Sequence, residues 1–252
     1  MNESNKLIST NPLITIVTVV LNKEKLIEST LLSVINQSYS NIEYIVIDGG
    51  SKDGTIEVIN KYKENITHII SEKDGGIYEA MNKGINLAQG SWINFMNAGD
   101  KFTNNNVLSK LPFSTCSNNS ILYGNKSHMG NAIYPYKTRI LKFGEIMACH
   151  QSMFFNMNPI FKKSVLYDTK FLIYADYELV NRLYLEFASF KYCNESIVIS
   201  EGNGISSKVS LQKRMDKYQI LFSHYGYKGV FRGIIFRVFK IFNITNKLND
   251  IY

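Results

Sequence analysis

The amino-terminal part of the chain alternates apolar runs with segments of helical periodicity. The first run, residues 14–21 (ITIVTVVL), is continuously apolar and rich in β-branched side chains, which is typical of a strand covered on both faces. Asn22 follows it and is a plausible helix N-cap. The next apolar positions share one face of a helix: Ile27, Leu31, Val34 and Ile35.

The same strand-and-helix unit repeats along the chain. Alternation of this kind predicts an α/β fold with a mostly parallel sheet, right-handed crossovers and flanking helices. Strands are expected over residues 42–47, 66–71 and 91–96, and helices over residues 53–64 and 77–88.

Beyond residue 100 the pattern is less regular. Residues 104–119 are rich in Asn and Ser and predict a loop or a short helix, whereas residues 121–124 predict a strand. Residues 175–187 carry apolar side chains at helical spacing, and residues 190–199 favour strands. No internal repeat is visible in the sequence.

Polar side chains stand where the first four predicted strands end: Asn22, Asp48, Asp74 and Asp100. Ligands of open parallel sheets bind at the carboxyl ends of the strands, so these side chains are expected on one rim. Such a rim could hydrogen-bond a base and ribose, or hold a divalent cation that neutralises a diphosphate. A nucleotide-sugar site combines both tasks, because its leaving group is a nucleoside diphosphate.

Composition and charge narrow the class of protein. A chain of 252 residues suits one sizeable core with an appendage. Residues 207–252 carry nine basic and two acidic side chains, whereas the remainder carries 19 of each sign, so the net charge of +7 belongs to the tail. Three widely spaced cysteines, no signal peptide and no apolar run long enough to span a membrane predict a cytoplasmic protein.

The tail contains a basic amphipathic pattern over residues 228–242 (KGVFRGIIFRVFKIF). Such a helix suits an anionic membrane surface. A helix packed on the body with solvated basic residues is the alternative, and nucleic-acid binding is disfavoured because stacking aromatics do not accompany the basic residues. The apolar positions expected on one face are Phe231, Ile234, Ile235, Val238, Phe239 and Phe242.

Three motifs carry a family resemblance. The runs IDGGSKDGT, SEKDGGIYEAMNKGINLAQG and NFMNAGD resemble those of inverting family-two glycosyltransferases with the GT-A (Rossmann-like) fold, across roughly residues 12–205. The resemblance implies a glycosyltransferase domain over residues 12–206. Residues 207–252 then form a basic helical extension, which its charge and amphipathic pattern predict to face a membrane.

The resemblance also implies which residues bind the donor. Asp48 would contact the base, uracil in a UDP-sugar, although Gly49 stands where the family often has a second Asp. The remaining donor candidates are Thr18, Asn22, Asp74, Gly75 and Asn97. Asp100 would hold a divalent cation, Mn²⁺ or Mg²⁺. Because Asn97 replaces the usual first carboxylate of this motif, strict dependence on the metal is open.

For the chemistry, the resemblance implies Asp176 as the base that takes the proton of the acceptor hydroxyl. Capping of the following helix by Asp176, or Glu178 as the base, are the alternatives. His150 and Gln151 resemble a segment near the acceptor and diphosphate. Residues 202–206 (GNGIS) resemble a loop that closes over the donor, or form an ordinary loop.

The function expected from the sequence is sugar transfer from a nucleotide sugar to a lipid-diphosphate-linked sugar acceptor, an undecaprenyl-diphosphate type, at the inner membrane surface during O-antigen or capsule assembly. A nucleotidyltransferase would call for a glycine-rich loop with a lysine near the first strand, and Leu21-Asn22-Lys23 lacks those glycines. A catalytically inactive, membrane-bound scaffold is the other alternative, and Asn97 is its main support.

Overall fold

The computed structural model describes residues 11–186, 188–200 and 210–241. Within these residues, nine strands form one sheet. Their bounds are β1 (Ile14–Val20), β2 (Ile42–Asp48), β3 (His68–Ser71), β4 (Trp92–Phe95), β5 (Lys101–Phe102), β6 (Ser120–His128), β7 (Asn131–Ile133), β8 (Met153–Asn156) and β9 (Ser189–Ile199).

The strand order is β3-β2-β1-β4-β8-β6-β9-β5, with β7 paired to β6 outside this path. The first four strands pair in parallel, as the sequence predicted. Beyond β4 the sheet is mixed: β8 is antiparallel to β4 and β6, and β9 is parallel to β6 but antiparallel to β5. The parallel arrangement therefore extends only as far as the strand-and-helix units that predicted it.

Helices flank the sheet: α1 (Glu24–Ile35), α2 (Thr55–Asn60), α3 (Ile77–Leu87), α4 (Val107–Lys110), α5 (Pro159–Lys162), α6 (Ala175–Leu185) and α7 (Leu211–Ile241). Short 3₁₀ turns span Lys63–Asn65, Phe113–Thr115, Thr138–Phe143 and His150–Ser152. Helix α2 begins later than predicted because the Asp53 carboxylate accepts hydrogen bonds from the backbone and hydroxyl of Thr55, which forms a turn before the helix.

The predicted N-cap of α1 is wrong. Lys23 occupies the capping position and makes no side-chain capping bond. Asn22 instead adopts a left-handed backbone conformation with φ 52°. Asn is one of the few residues other than glycine that tolerates this region, so the turn between β1 and α1 depends on its identity.

The central strands β1, β2 and β4 are buried almost along their whole length, which explains their continuous apolar runs. Along β1, Ile14 and Ile16 pack in one core cluster, whereas Val17 and Val19 pack in the cluster on the opposite face. Helix α3 lies very close to this second face, since a Cβ at Gly84 would stand 2.5 Å from Cγ1 of Val17. This packing fixes α3, and with it the segment before α3, against the sheet.

The carboxyl-terminal helix α7 is two helical segments joined at Gly226, whose φ of 61° breaks the helix. It packs on the Thr138–Phe143 turn, and Glu145 binds Lys217 at 2.9 Å and Lys240 at 3.5 Å. No helix in the described part of the chain has the length and apolar character to cross a bilayer. The predicted loop at residues 202–206, Phe187 and residues 242–252 lie outside the described residues.

Candidate active site

Asp48, at the end of β2, is fully buried. Its carboxylate accepts hydrogen bonds from the backbone N–H and hydroxyl of Ser51, and from the Ser71 hydroxyl at 2.6 Å. These bonds tie the turn after β2 to the end of β3. Asp48 therefore organises the backbone at the carboxyl ends of β2 and β3, called here the floor of the site. Its contact with a nucleotide base stays a prediction.

Asn22 joins the same floor from the end of β1. Its backbone N–H donates to the Ser51 hydroxyl and its Oδ1 accepts from the Lys52 backbone N–H, both at 2.8 Å. Thr18 is different: it is fully buried within β1, and its hydroxyl lies 3.0 Å from the hydroxyl of Tyr44. Thr18, one of the residues predicted to bind the nucleotide sugar, thus lies in the core rather than at the carboxyl ends of the strands.

Asp74 stands beside this floor, immediately before α3. Its carboxylate forms an ion pair with Lys83, whose ammonium also lies 2.7 Å from Glu72. These hydrogen bonds raise the pKa of Lys83 above its usual value and keep it charged. Gly75 donates its N–H to Glu79 at 3.0 Å. Lys83 and the carboxylates of Glu72, Asp74 and Glu79 therefore order this segment, which the family resemblance predicts to contact the nucleoside.

Gly49 explains how the rim accommodates Asp74. A Cβ at Gly49 would lie 3.3 Å from Oδ2 of Asp74, and this Oδ2 is buried without a hydrogen-bond partner. An acidic side chain at this position would add a like charge against Asp74, which is unfavourable at close range. The absence of a side chain at Gly49 thus leaves room beside the carboxylate of Asp74, which is predicted to bind the nucleotide sugar.

Asp100 follows β4 and is held by a chain of side chains. Gln151 donates from Nε2 to its Oδ2 at 2.6 Å, and the Cys149 thiol donates to Oε1 of Gln151 at 2.7 Å. Burial raises the pKa of the Cys149 thiol to about 12, so the thiol stays protonated and remains a donor. Burial also raises the pKa of Asp100 above its usual value, although the hydrogen bonds from Ser200 and Gln151 act to lower it.

The turn that carries Gln151 is itself anchored to the sheet. Asn94 is fully buried in β4, and its Nδ2 donates to the carbonyls of Gln151 and Met153 at 2.9 and 2.8 Å. These two hydrogen bonds hold the His150–Ser152 turn next to β4, where Gln151 reaches Asp100.

His150 lies within electrostatic reach of both Asp100 and the predicted base. Its Nδ1 lies 3.6 Å from Oδ2 of Asp176, which is an electrostatic contact rather than a hydrogen bond. Burial lowers the pKa of His150, although the charges of Asp176 and Asp100 act to raise it. A buried imidazole with a lowered pKa is neutral at pH 7, so His150 can accept or donate a hydrogen bond there.

Asp176 sits in the first turn of α6, whose N-cap position is Tyr174 without a side-chain capping bond. Asp176 is therefore not the N-cap residue, although its carboxylate does accept a backbone N–H of the first turn. Its Oδ1 accepts from the Tyr177 N–H at 2.8 Å and lies 3.4 Å from the Tyr78 hydroxyl, which donates to the Ile173 carbonyl at 2.7 Å. Tyr78 belongs to α3, so it connects the base candidate to the helix behind Asp74.

Glu178, the alternative base, is engaged elsewhere. Its carboxylate lies 3.1 Å from Nε of Arg182 and 3.3 Å from Nε2 of His224. Burial acts to raise the pKa of Glu178, but the hydrogen bonds from His224 and Arg182 hold it below its usual value. Because Arg182 lies on α6 and His224 on α7, this carboxylate is suited to joining the two helices rather than to taking a proton.

Known proteins share these sequence features. The model of the family "Glycosyl transferase family 2" matches residues 15–164, more than half of the chain, and this range contains the floor, Asp100 and the His150–Ser152 turn. The chain belongs to glycosyl transferase family 2. Asp176 lies beyond the matched range, so its role as the base stays a prediction.

Curated relatives agree with this membership. An uncharacterized glycosyltransferase of Mycobacterium tuberculosis strain H37Rv is 29% identical over 180 residues, which cover 68% of each chain. A PGL/p-HBAD biosynthesis glycosyltransferase of Mycobacterium bovis is 26% identical over 178 residues, which cover 66% of this chain and 68% of the relative.

Solved structures show the same fold at low sequence identity. Staphylococcus aureus TarS 1-349 in complex with UDP gives a TM-score of 0.67 at 15% identity, over 84% of this chain and 64% of that one. The mannosyltransferase PcManGT from Pyrobaculum calidifontis, in complex with GDP-Man and Mn²⁺, gives 0.63 at 12% identity, over 90% and 74%. This chain spans 39% of a longer TarS chain. The predicted α/β fold of the GT-A type with a carboxyl-terminal helix is confirmed.

Asn97 and Asp100 offer oxygen atoms of the kind that a divalent cation prefers. Asn97 Oδ1 is buried without a hydrogen-bond partner, and Asp100 follows three residues later with a carboxylate oriented by Gln151. Within the described residues, no three His, Cys, Asp or Glu side chains form a metal-binding group. Mg²⁺ is commonly held by one or two protein oxygens together with substrate phosphates, and Asp100 with Asn97 suits that sharing.

The sequence reasoning missed several residues of the site. Lys83 was visible in the quoted KDGGIYEAMNKG run, at i+4 from Glu79, where an ion pair on one helix face is expected. Cys149 directly precedes His150, but a lone cysteine gives no signal of its role. Tyr78 and Asn94 reach Asp176 and Gln151 only through tertiary contacts, which no local pattern reveals.

Proposed function

We propose that this family 2 protein is an inverting glycosyltransferase that moves a hexose or N-acetylhexosamine from a nucleotide sugar, a UDP-sugar, to a sugar acceptor. The observation that carries the proposal is the position of His150, which lies 3.6 Å from Asp176 and is influenced by the charges of both Asp176 and Asp100. Asp48 ends a neighbouring part of the same sheet, at β2. Metal-binding oxygens, a base and a nucleoside floor are the three parts that this chemistry needs.

In the proposed reaction, Asp176 accepts the proton of the acceptor hydroxyl as that oxygen attacks the anomeric carbon. Attack opposite the leaving diphosphate gives inversion, hence a β-linkage from an α-linked donor. Asp48, Asn22, Asp74 and Gly75 form the edge against which the nucleoside would lie. A divalent cation, Mn²⁺ or Mg²⁺, would supply charge neutralisation on the diphosphate when bound at Asp100 and Asn97.

The proposed acceptor is a sugar linked through a diphosphate to a lipid of the undecaprenyl type, and the product serves a surface polysaccharide such as O-antigen, lipopolysaccharide or capsule. The motif resemblance supports this choice, and a relative is named for PGL/p-HBAD biosynthesis. TarS has been crystallised with UDP-GlcNAc, whereas PcManGT binds GDP-Man, so the donor must be tested across both bases. The proposed location is cytoplasmic, on the inner face of the membrane.

The test is release of the nucleoside diphosphate by the full chain from a panel of UDP-sugars and GDP-mannose, with Mn²⁺ or with EDTA. Release from one donor that requires metal, and that is lost in Asp100→Ala, is the expected result. No release from any donor, together with no nucleotide binding, would contradict the enzyme. It would leave the inactive scaffold, which the amide of Asn97 in place of a carboxylate favours.

A further inference from the structure

The second segment of α7 turns one face toward the body of the protein. Gly229, Gly233 and Phe236 are buried on this face, and a Cβ at Gly233 would stand 2.6 Å from Cδ1 of Leu221. Lys240, one turn after Phe236, binds Glu145. At about 100° per residue these four positions share one side of the helix, so the packed side is fixed.

The opposite side of this segment is an exposed apolar stripe. The exposed fractions are 82% for Tyr227, 64% for Phe231, 47% for Ile234 and 44% for Val238. The spacing of three to four residues puts these side chains in one row, about half a turn from Gly233 and Phe236. The stripe therefore points away from the body.

Basic side chains border the stripe on both sides. Lys228 and Arg232 lie along one border and Arg237 along the other, all exposed. In the described part of the chain none of these three makes an ion pair, unlike Lys217 and Lys240, which Glu145 binds. Residues 227–241 contain no Asp or Glu. The exposed surface of this segment is thus apolar in the middle and purely cationic at its borders.

We propose that this face of α7 lies on an anionic phospholipid surface, with the stripe Tyr227, Phe231, Ile234 and Val238 in the interface and Lys228, Arg232 and Arg237 on lipid phosphates. An apolar row between two cationic borders matches a helix that lies in the membrane plane. Long basic side chains can extend from such a helix to the headgroups. The proposal deepens the proposed function by holding the active site at a membrane, but binding does not require transfer.

The structure refines the face that the sequence predicted. Ile235 and Phe239, counted there among the membrane-facing positions, are only partly exposed, and Phe239 packs on the core. Phe236 is buried instead. The lipid-facing row is therefore narrower than the sequence pattern, and it excludes the residues that attach α7 to the Thr138–Phe143 turn.

The experiment is co-sedimentation of the full chain with vesicles of phosphatidylcholine, with or without phosphatidylglycerol. Binding is expected to the anionic vesicles and to weaken with salt. Phe231→Ser/Ile234→Ser/Val238→Ser should reduce partitioning at least tenfold, whereas Leu32→Ser/Leu185→Ser, which alters exposed apolar residues of α1 and α6, should leave it unchanged.

Charge is tested by Lys228→Gln/Arg232→Gln/Arg237→Gln against Lys25→Gln/Lys61→Gln/Lys63→Gln, which removes the same charge elsewhere. Each basic residue near an anionic surface contributes about fivefold in partitioning, so the first variant should lose on the order of a hundredfold and the second little. Equal losses would indicate net charge alone and overturn the proposal.

Two other results would also overturn the proposal. They are absence of vesicle binding by the wild type, and a wild-type dimer that the stripe variant converts to a monomer, since the stripe would then join two copies. Nucleotide binding, measured in parallel without vesicles, should be the same in all variants. A wild-type protein that binds no nucleotide would count against the proposed function and not against membrane binding.

Discussion

Nδ1 of His150 and Oδ2 of Asp176 lie 3.6 Å apart, although one residue belongs to the turn before β8 and the other to the first turn of α6. Both side chains are mostly buried, and burial keeps His150 in its neutral form. Asp176 is thus the carboxylate next to a polar but uncharged group, whereas Glu178 on the same helix is bound by Arg182. Their different surroundings favour Asp176 over Glu178 as the proposed base.

Asp176→Asn is expected to lower kcat by about 10²- to 10⁴-fold, because an amide cannot take the acceptor proton. The affinity for the nucleotide should change by less than about threefold, since no donor-floor residue is bonded to Asp176 in the described structure. Steady-state kinetics with a competent donor and acceptor, together with direct UDP titration, measure the two effects separately.

Glu178→Gln is the matched control, because it makes the same change two residues later. Its expected effect is on stability, a loss of about 1–3 kcal/mol, since a buried hydrogen-bonded carboxylate is replaced opposite Arg182 and His224. Chemical denaturation reports this loss. If Glu178→Gln stopped turnover in a folded protein while Asp176→Asn remained active, the assignment of the base would be reversed.

Asn97→Asp is expected to tighten cation binding. The change places a second carboxylate where a buried amide oxygen has no partner, and a charged oxygen is a stronger ligand for Mn²⁺ or Mg²⁺. The metal concentration that gives half-maximal nucleotide release should fall about tenfold. Titration of Mn²⁺ into EDTA-treated wild type and variant provides the comparison, and an unchanged midpoint would remove Asn97 from the metal site.

Gln151→Leu tests the chain of side chains behind Asp100. Without the 2.6 Å bond from Gln151, the Asp100 carboxylate loses its orientation, and metal affinity should fall about 10- to 100-fold. Cys149→Ser keeps a donor to Gln151 and should retain near wild-type affinity, whereas Cys149→Val should lose part of it. Metal titrations that rank Cys149→Val equal to Cys149→Ser would show that the thiol has no such positioning role.

Lys83→Met is expected to raise the Kd for the nucleotide by about tenfold while kcat changes by less than about threefold. The ammonium of Lys83 holds Asp74 and Glu72 together. Without it these two carboxylates repel each other, so that Asp74 moves away from the predicted position of the nucleotide. Lys83→Arg keeps the charge and should restore much of the affinity. Calorimetric titration with UDP gives Kd, and equal binding by Lys83→Met and wild type would contradict the prediction.

Local patterns predicted the elements that bear the site. The strands β1 to β4 follow from apolar runs, and the polar residues that end them follow from the geometry of parallel strands, so the positions of Asp48, Asp74 and Asp100 were visible in the sequence. Their partners were not. The bond between Gln151 and Asp100 spans 51 residues, and the antiparallel pairing of β8 with β4, together with the Asn94 hydrogen bonds, brings the two together.

Burial was the second property that the sequence could not supply. Thr18 lies in a strand whose residues are buried on both faces, so its hydroxyl bonds to Tyr44 in the core. In α7, apolar residues occupy more than one face, and only the packing on Thr138–Phe143 separates Phe236, which is buried, from Phe231, which is exposed. Periodicity predicts that a helix is amphipathic, but tertiary contacts decide which apolar residues face the body.

The attachment of α7 gives a prediction about pH. Glu145 is largely buried between Lys217 and Lys240. Burial acts to raise the pKa of Glu145, but the two ammonium groups hold it below its usual value. A carboxyl whose pKa is lower in the folded state stabilises the fold above the unfolded value, about pH 4.3. That contribution is lost as the pH falls through the lower, folded pKa.

Glu145→Gln removes this titration. The free energy of unfolding should therefore be lower than that of the wild type by about 1–2 kcal/mol at pH 7, and the difference should shrink as the pH falls below about 4.3, where the wild-type carboxyl also becomes neutral. Glu57→Gln, an exposed site on α2, should parallel the wild type at every pH. Urea denaturation between pH 7 and pH 3 measures these curves. A gap between Glu145→Gln and wild type that persists undiminished at pH 3 would mean that packing, rather than the charge of Glu145, holds α7 in place.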